Sequence, residues 1–168
     1  YELETRDAAF DNFNARGATP TSLVPDPFVT NRLEAEQQVH ALYTTWERPF
    51  DKLTMQLGLR LEYADIELNQ ITTGTTRGQD YFRAYPTLHL GYQLNDTDQV
   101  RGSYSRRIQR PPPFLLNPFT SYQDPVNLRS GNPDLEPQET DAFELMWQKR
   151  QGQNFYQATL YYRDTSKA

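Results

Sequence analysis

The chain has 168 residues, of which 36% are hydrophobic and 13% aromatic, and its formal net charge is -5. The mean hydropathy of -0.85 is low for a protein that fills a wide core, yet a disordered chain would hold far fewer aromatic side chains. The acidic charge argues against a nucleic-acid-binding protein, whose contact surface is normally basic. The lack of cysteine excludes disulfides, thiolate metal sites and cysteine nucleophiles.

The first predicted elements are two strands, of which the second has blurred alternation. Residues 1–6 are predicted to be the end of one strand, and residues 33–47 to form another. A long loop at about 7–32 joins them, and a short turn at 48–51 follows.

Residues 53–63 alternate between apolar and polar side chains without a fault. The side chains that share the apolar face are Leu53, Met55, Leu57, Leu59, Leu61 and Tyr63. A period of two indicates a β-strand with one apolar and one polar face. The segment is about twice as long as a usual strand of a soluble protein, and it matches the ~9–11 residues of a tilted transmembrane strand.

The same alternation returns in four later segments, which are residues 83–94, 99–105, 143–148 and 156–163. The connections alternate in length. The short ones are 48–51, 95–98 and 151–154, and the long ones are about 7–32, 69–80 and 108–138. Long and short connections therefore fall at opposite ends of the sheet, which is typical of outer-membrane barrels with short periplasmic turns and long extracellular loops.

A soluble antiparallel sandwich also alternates, with its apolar face turned inward. Long strands, two-sided connection lengths and aromatic residues near the strand ends favour a membrane barrel over that alternative. The sequence predicts an all-β fold, namely an antiparallel transmembrane β-barrel segment of about six or seven long strands within a larger barrel. The alternative is a soluble or surface-attached β-sandwich that binds carbohydrate or protein, and it stays open at this point.

Three stretches carry a resemblance to a known family. Residues 103–111 read Ser-Tyr-Ser-Arg-Arg-Ile-Gln-Arg-Pro, residues 116–119 read Leu-Asn-Pro-Phe, and residues 131–138 read Gly-Asn-Pro-Asp-Leu-Glu-Pro-Gln. They resemble the barrel of TonB-dependent outer-membrane receptors, in which an Arg-rich strand end leads into a long external loop that returns through a Gly-Asn-Pro element. Gln138 stands where that family usually has Glu. Residues 57–62 are similar to its Gly-x-Arg-x-Glu strand.

The resemblance implies that residues 1–168 form a partial β-barrel domain in the outer membrane of a Gram-negative bacterium, without the plug domain of the family. Six or seven strands cannot close such a barrel, and an open sheet edge is not tolerated in lipid. We therefore expect these residues to be a portion of a larger protein.

The function implied by the resemblance is uptake of a scarce nutrient, such as a siderophore, cobalamin or a carbohydrate. The implied partners are outer-membrane lipid and lipopolysaccharide, the periplasmic TonB energy-coupling protein acting through the missing plug, and a small nutrient ligand. We expect no enzymatic activity, no cofactor and no nucleic-acid partner.

The loop at about 108–138 is the expected place of ligand contact, because long irregular segments carry function more often than regular ones. The candidate ligand-binding residues are Arg107, Arg110, Phe114, Phe119 and Tyr122. Together with Arg106, the two arginines could bind an anionic ligand or a lipopolysaccharide phosphate, or they could pair with lumenal carboxylates such as Glu62 and Glu144. The aromatic residues could stack on a ligand or pin the loop against the barrel mouth.

Two further features favour structural over chemical roles. His89 lies on the polar face and is interpreted as lining the lumen, since no nucleophile motif accompanies it. The acidic residues Asp134, Glu136, Glu139 and Asp141 lack the glycine-punctuated spacing of a calcium loop, which favours a solvated rim over a calcium site.

Overall fold

A computed structural model describes residues 1–12, 15–16, 24–25, 30–124 and 126–166. The elements, in chain order, are β1 (Glu2–Asn12), β2 (Ala15–Arg16), β3 (Val24–Pro25), β4 (Asn31–Phe50), β5 (Leu53–Gln70), β6 (Thr75–Gln93), β7 (Asp98–Gln109), α1 (Pro113–Leu116), β8 (Ser121–Asp124), β9 (Asn127–Arg129), β10 (Gln138–Gln151) and β11 (Asn154–Ser166). In the described part of the chain no helix is long and apolar enough to cross a membrane.

Seven of the strands form one sheet in the order β1-β4-β5-β6-β7-β10-β11, and every neighbouring pair is antiparallel. Strands β2 and β3 form a separate small hairpin, as do β8 and β9. The large sheet follows the chain strand by strand and curves into a half-barrel. The prediction of an all-β antiparallel barrel segment with six or seven long strands is confirmed.

The connections at one end of the sheet are tight turns. Residues 51–52, 94–97 and 152–153 join their strands, and Asp51 and Gly152 adopt positive φ of 51° and 60°. In the turn before β7, Thr97 Oγ1 donates to the carboxylate of Asp98 (2.7 Å), and this hydrogen bond holds the pKa of that carboxyl below its usual range. We call this the short-turn end, and it matches the predicted short connections.

At the opposite end, residues 110–137 lie between β7 and β10, as predicted. The predicted loop at about 69–80 is wrong: β5 continues to Gln70 and β6 begins at Thr75, so a four-residue turn joins them. Gly74 supplies the positive φ of 66° that closes this turn. The predicted loop at about 7–32 is shorter than expected, because β1 extends to Asn12 and β4 begins at Asn31.

One face of the sheet is apolar toward the short-turn end on β4, β5, β6, β7, β10 and β11, and Leu3 at the start of β1 adjoins it. Leu57 lies opposite Leu88 and Met55 opposite Leu90, which confirms the prediction that the leucines of these strands share one face. The exposed apolar side chains of this outer face include Leu3, Leu42, Trp46, Leu57, Leu59, Leu90, Tyr92, Phe143, Leu145, Trp147, Leu160 and Tyr162. No layer of described residues covers them, so this surface is suited to lipid rather than to water.

Charged residues mark both limits of the apolar surface on β10. Lys149 pairs with Asp98 (3.7 Å) near the short-turn end, and Asp141 pairs with Arg106 (2.9 Å) at the other. Between them the outer face shows Trp147, Leu145 and Phe143. Eight residues at about 3.3 Å each, tilted by about 40°, span roughly 20 Å. This height is close to the ~25 Å apolar band of outer-membrane barrels.

The polarity of the two faces reverses on β5 between Tyr63 and Ala64. Up to Tyr63 the outer side chains are apolar, whereas beyond it the outer positions are exposed and polar, as at Asp65 and Glu67. The inner positions change in the opposite sense, from Arg60 and Glu62 to Ala64, Ile66 and Leu68. The strand itself continues unbroken. A single strand therefore meets an apolar outer environment first and a polar one afterwards.

Above that reversal, the inner face of β4, β5 and β6 forms the hydrophobic core. Its buried members are Leu33, Ala35, Val39, Ala64, Ile66, Leu68, Tyr81 and Leu116, with Ile108 and Leu135 packed against them. Leu116 belongs to α1, so part of the long connection 110–137 folds inward onto the concave wall. Burial of one such leucine stabilises by about 1.5–3 kcal/mol.

Candidate functional site

The long connection 110–137 is attached to the inner wall at its first residue. Arg110 donates through Nη2 to Oε2 of Glu62 on β5 and through Nε to the hydroxyl of Tyr81 on β6 (2.8 Å). Its guanidinium lies 5.9 Å from the centre of the Tyr81 ring. The side chains of Arg110 and Glu62 are only 22% and 6% exposed, so little water screens the pair.

Glu62 also binds a second arginine. Arg60 donates through Nε to Glu62 (2.6 Å) and through Nη1 to Glu2 on β1 (2.8 Å). Tyr85, which lies opposite Arg60, is buried, and its hydroxyl has no hydrogen-bond partner within the described ranges. We call Arg60, Glu62, Tyr81, Tyr85 and Arg110 the wall cluster. It joins β1, β5, β6 and the start of the long connection.

Three amide side chains make a second attachment. Gln70, 1% exposed, donates to Oδ1 of Asn117 (2.9 Å), and Asn117 donates through Nδ2 to Oδ1 of Asn31 (3.0 Å). These residues belong to the end of β5, the segment after α1 and the start of β4. Gln70 is buried and the two asparagines are half-buried. Amides paired in this way fix one arrangement of the chain, since an unpaired buried amide would be costly.

Gly131 lies in the returning part of the connection, where the backbone crosses the segment around Leu115 and Asn117. Its N–H donates to the carbonyl oxygen of Asn117 (2.8 Å), and the N–H of Asn132 donates to that of Leu115 (2.8 Å). A Cβ at position 131 would lie 2.7 Å from the Asn117 carbonyl oxygen and closer still to that of Leu115. Only glycine fits this backbone crossing, which explains why the Gly-Asn-Pro element begins with it.

The sheet opens between β6 and β7 toward the long connection. Their pairing covers only Thr87–Gln93 of β6 and ends next to Pro86, which has no N–H to donate. Beyond this point, Arg83 bridges the gap by donating to Glu139 on β10 (2.9 Å).

The predicted acidic residues of this region are partly neutralised by arginines. Glu139 binds Arg83, and Asp141 binds Arg106 through two hydrogen bonds. Across the residues that the structure describes, no acidic or histidine cluster could hold a metal ion.

The five predicted ligand-binding residues do not form one site. Arg107 is exposed on the inner face of β7, whereas Arg110 is bound to Glu62 and Tyr81. Phe114 is half-exposed, with the Arg129 guanidinium 5.8 Å from its ring centre, and the N–H of Phe119 donates to Asn117. Tyr122 belongs to β8, and its side chain lies outside the described residues.

The predicted arginines were expected either to bind an anion or to pair with lumenal carboxylates, and the structure decides this for some of them. Arg110 pairs with Glu62, which was one of the two carboxylates considered. Arg106 pairs instead with Asp141 on the outer face. Glu144 makes no ion pair with any described residue, and Arg107 makes none either. Of these three arginines, Arg107 keeps a guanidinium that is open to a ligand.

The sequence interpretation missed Tyr81, Tyr85 and the amide residues Gln70 and Asn117. All except Asn117 lie on inner positions of β5 and β6. The available signal was the alternation itself, continued past Tyr63 with reversed polarity. Asn117 carries no such signal, because its role depends on a contact with Gln70, 47 residues earlier.

His89, Ser103 and Glu144 lie in one register row on the inner face, since Ser103 pairs with His89 on one side and with Glu144 on the other. This arrangement differs from a serine-hydrolase triad, in which the histidine lies between the serine and the acid. The location of His89 on the predicted lumenal face agrees with the structure.

Residues 1–168 match the model of the outer membrane protein beta-barrel family. The chain belongs to that family. It is therefore a protein of the Gram-negative outer membrane, its apolar outer face contacts lipid, and the alternative of a soluble sandwich is wrong. The long connection 110–137 accordingly lies on the extracellular side and the tight turns on the periplasmic side.

Among solved structures, the chain is similar to the siderophore receptor PirA from Pseudomonas aeruginosa, with 13% identity and a TM-score of 0.49. The match covers 97% of this chain and 39% of that receptor chain, so the chain spans about two fifths of the length of that structure. No curated protein matches the sequence significantly.

Proposed function

We propose that this outer-membrane barrel protein is a TonB-dependent receptor that takes up a scarce nutrient. The residues described here would form part of its wall and one of its extracellular loops. The observation that carries the proposal is the inward fold of the long connection, which the wall cluster and Leu116 attach to the lumenal side. A loop held in that place narrows the entrance, as a selective receptor requires.

The sequence supports the same function through the elements at 103–111 and 131–138, which resemble those of TonB-dependent receptors. Gly131 gives the resemblance a physical basis, because the backbone crossing at the base of the loop excludes any side chain. The wall cluster supports the resemblance as well, because Arg110, the last arginine of the element at 103–111, binds Glu62.

In this proposal the protein binds and admits its solute without breaking a bond. The order of the register row supports this, because Ser103 lies between His89 and Glu144, whereas in a hydrolase triad the histidine lies between the serine and the acid. The driving force for passage would come from the periplasmic energy-coupling protein, and the barrel would contribute differential binding and a gated path.

The test is accumulation of a panel of labelled iron chelates, cobalamin and oligosaccharides by cells that express the full-length protein. We expect accumulation of at least one solute above the level of cells without the protein. That accumulation should disappear when the gene of the energy-coupling protein is deleted, while binding of the solute to the cell surface persists. Accumulation that is unchanged by the deletion would indicate a passive pore and would contradict the proposal.

A further inference from the structure

A groove lies on the inner face of β7, β10 and β11, just below the long extracellular connection. Its lining includes Thr87, Ser105, Arg107, Thr140, Ala142 and Arg163, and we call these residues the arginine groove. Arg107 lies opposite Thr140, and Arg163 lies opposite Ala142 two residues further along β10. The two arginines therefore lie on the strands that flank β10, on either side of the small side chains of Thr140 and Ala142.

Both arginines are exposed and lack a carboxylate partner within the described part of the chain. Three other arginines of the inner wall differ in this respect, because Arg60, Arg83 and Arg110 each bind a glutamate, whereas Arg101 donates to the amide of Gln99. Arg163 lies over the face of Tyr161, with its guanidinium 5.7 Å from the ring centre. A guanidinium without a partner presents a planar set of N–H donors that matches a carboxylate or a phosphate.

Hydroxyl groups complete the groove. Ser105 lies between Thr87 and Ala142 in the register of the sheet. Thr140 shares a hydrogen bond of 3.0 Å with Thr165 on the neighbouring strand. Hydroxyls can donate to the same oxygen atoms that the arginines attract. The one carboxylate among the described lining residues on the inner face is Glu144, so two positive charges face one negative charge.

We propose that the arginine groove binds the anionic group, a carboxylate or a phosphate, of the solute that the barrel admits. This inference rests on the proposed function, because it names the charge class of the nutrient. The groove lies below the attached loop and above the middle of the wall, so a solute that has passed the loop meets it next. Positive charge in a narrow lumen also raises the local concentration of anions.

These 168 residues contain no cysteine. With any cysteine elsewhere in the full-length protein replaced by serine, the S105C variant in outer-membrane vesicles therefore gives a direct test. Two thiol reagents of similar size are compared, a methanethiosulfonate with a sulfonate group and one with a trimethylammonium group. We expect the ratio of the sulfonate rate to the ammonium rate to fall at least about fivefold when Arg107→Gln and Arg163→Gln are added. Citrate and inorganic phosphate should slow the reaction of the S105C protein and leave the triple variant unaffected.

Arg101→Gln is the matched control, because Arg101 lies on the same strand and inner face, six residues nearer the periplasmic turn. An equal fall of the ratio in this control would assign the effect to general lumenal charge and overturn the groove as a site. A thiol that reacts with neither reagent would mean that protein fills the groove, and this result would overturn the proposal as well.

The reactivity ratio is independent of energised uptake, so the two proposals can fail separately. If accumulation does not require the energy-coupling protein and the ratio still falls in the double arginine variant, the anion site stands and the receptor function is wrong. If accumulation requires it and the ratio is unchanged, the receptor function stands and the anion site is wrong.

Discussion

Arg110 donates a hydrogen bond to Glu62, which lies 48 residues earlier in the chain. The first residue of the extracellular connection is thereby bound to the lumenal wall before the chain reaches α1. Because Arg60 binds the same carboxylate, one glutamate holds two positive charges together. Through the Arg110–Glu62 pair, a residue of the barrel wall fixes the position of the loop.

Glu62→Gln should therefore loosen the loop. The substitution keeps an acceptor oxygen but leaves Arg110 without a counter-charge and Arg60 with Glu2 as its remaining carboxylate partner. Removal of one partner from a fully buried pair costs about 3–5 kcal/mol, and the partial exposure of Arg110 reduces this to about 2 kcal/mol. We expect faster hydrogen exchange across residues 110–137, measured by mass spectrometry, with strands β5 and β6 still protected.

Glu144→Gln is the control for that substitution, because Glu144 is an inner-face carboxylate without an ion pair to any described residue. It should leave exchange in 110–137 unchanged. Equal protection of the loop in both variants would show that the Arg110–Glu62 pair does not hold it.

Leu116→Ala should detach α1 from the wall. Leu116 is 2% exposed and packs within the inner core, and truncation of a buried leucine costs about 2–5 kcal/mol. The neighbouring Leu115 is 37% exposed, so Leu115→Ala is a matched control with an expected effect within about 0.5 kcal/mol. Thermal unfolding and hydrogen exchange in detergent would measure both variants, and equal effects would contradict the inward packing of α1.

Leu59→Arg should impair assembly in lipid. Leu59 lies near the middle of the outer apolar stretch of β5, and an arginine at the bilayer midplane costs about 2–4 kcal/mol. Gln56→Arg is the control, since Gln56 lies on the inner face of the same strand opposite Glu47. Urea unfolding in vesicles should show a lower stability for Leu59→Arg alone. A larger loss for Gln56→Arg would reverse the assignment of the two faces.

The strands and their apolar face were predictable because alternation is a local property of the sequence. Residues 53–63 satisfied it completely, and Leu57 and Leu88 lie on one face as expected. The extension of β5 to Gln70 was not predicted, since the apolar side chains move to the other face at Ala64. This reversal arises where the outer face of a strand passes from lipid to water while a loop covers its inner face. A sequence interpretation that assumes the same solvent along the whole strand places the end of the strand at that point.

The candidate site was less predictable, because it depends on contacts between distant residues. Arg107 and Arg110 are three residues apart and have the same chemistry, yet Arg110 is paired with Glu62 and Arg107 is exposed. β7 ends at Gln109, so Arg107 belongs to the strand whereas Arg110 belongs to the connection that follows it. The sequence left open whether Arg110 pairs with Glu62 or binds an anion. The pairing follows from the inward path of the connection, which the sequence does not show.

The most direct test of this account is a nitroxide scan along β5 in lipid, with one spin label at a time from residue 54 to residue 69. Odd positions from 55 to 63 should be accessible to oxygen and shielded from a polar relaxation agent, because they contact lipid. Positions 65, 67 and 69 should be accessible to the polar agent, and positions 64, 66 and 68 should be shielded from both, because the loop covers them. An oxygen profile that keeps the same phase through residue 69, or that shows no difference between odd and even positions, would contradict the reversal at Tyr63 and Ala64 and the membrane boundary assigned from it.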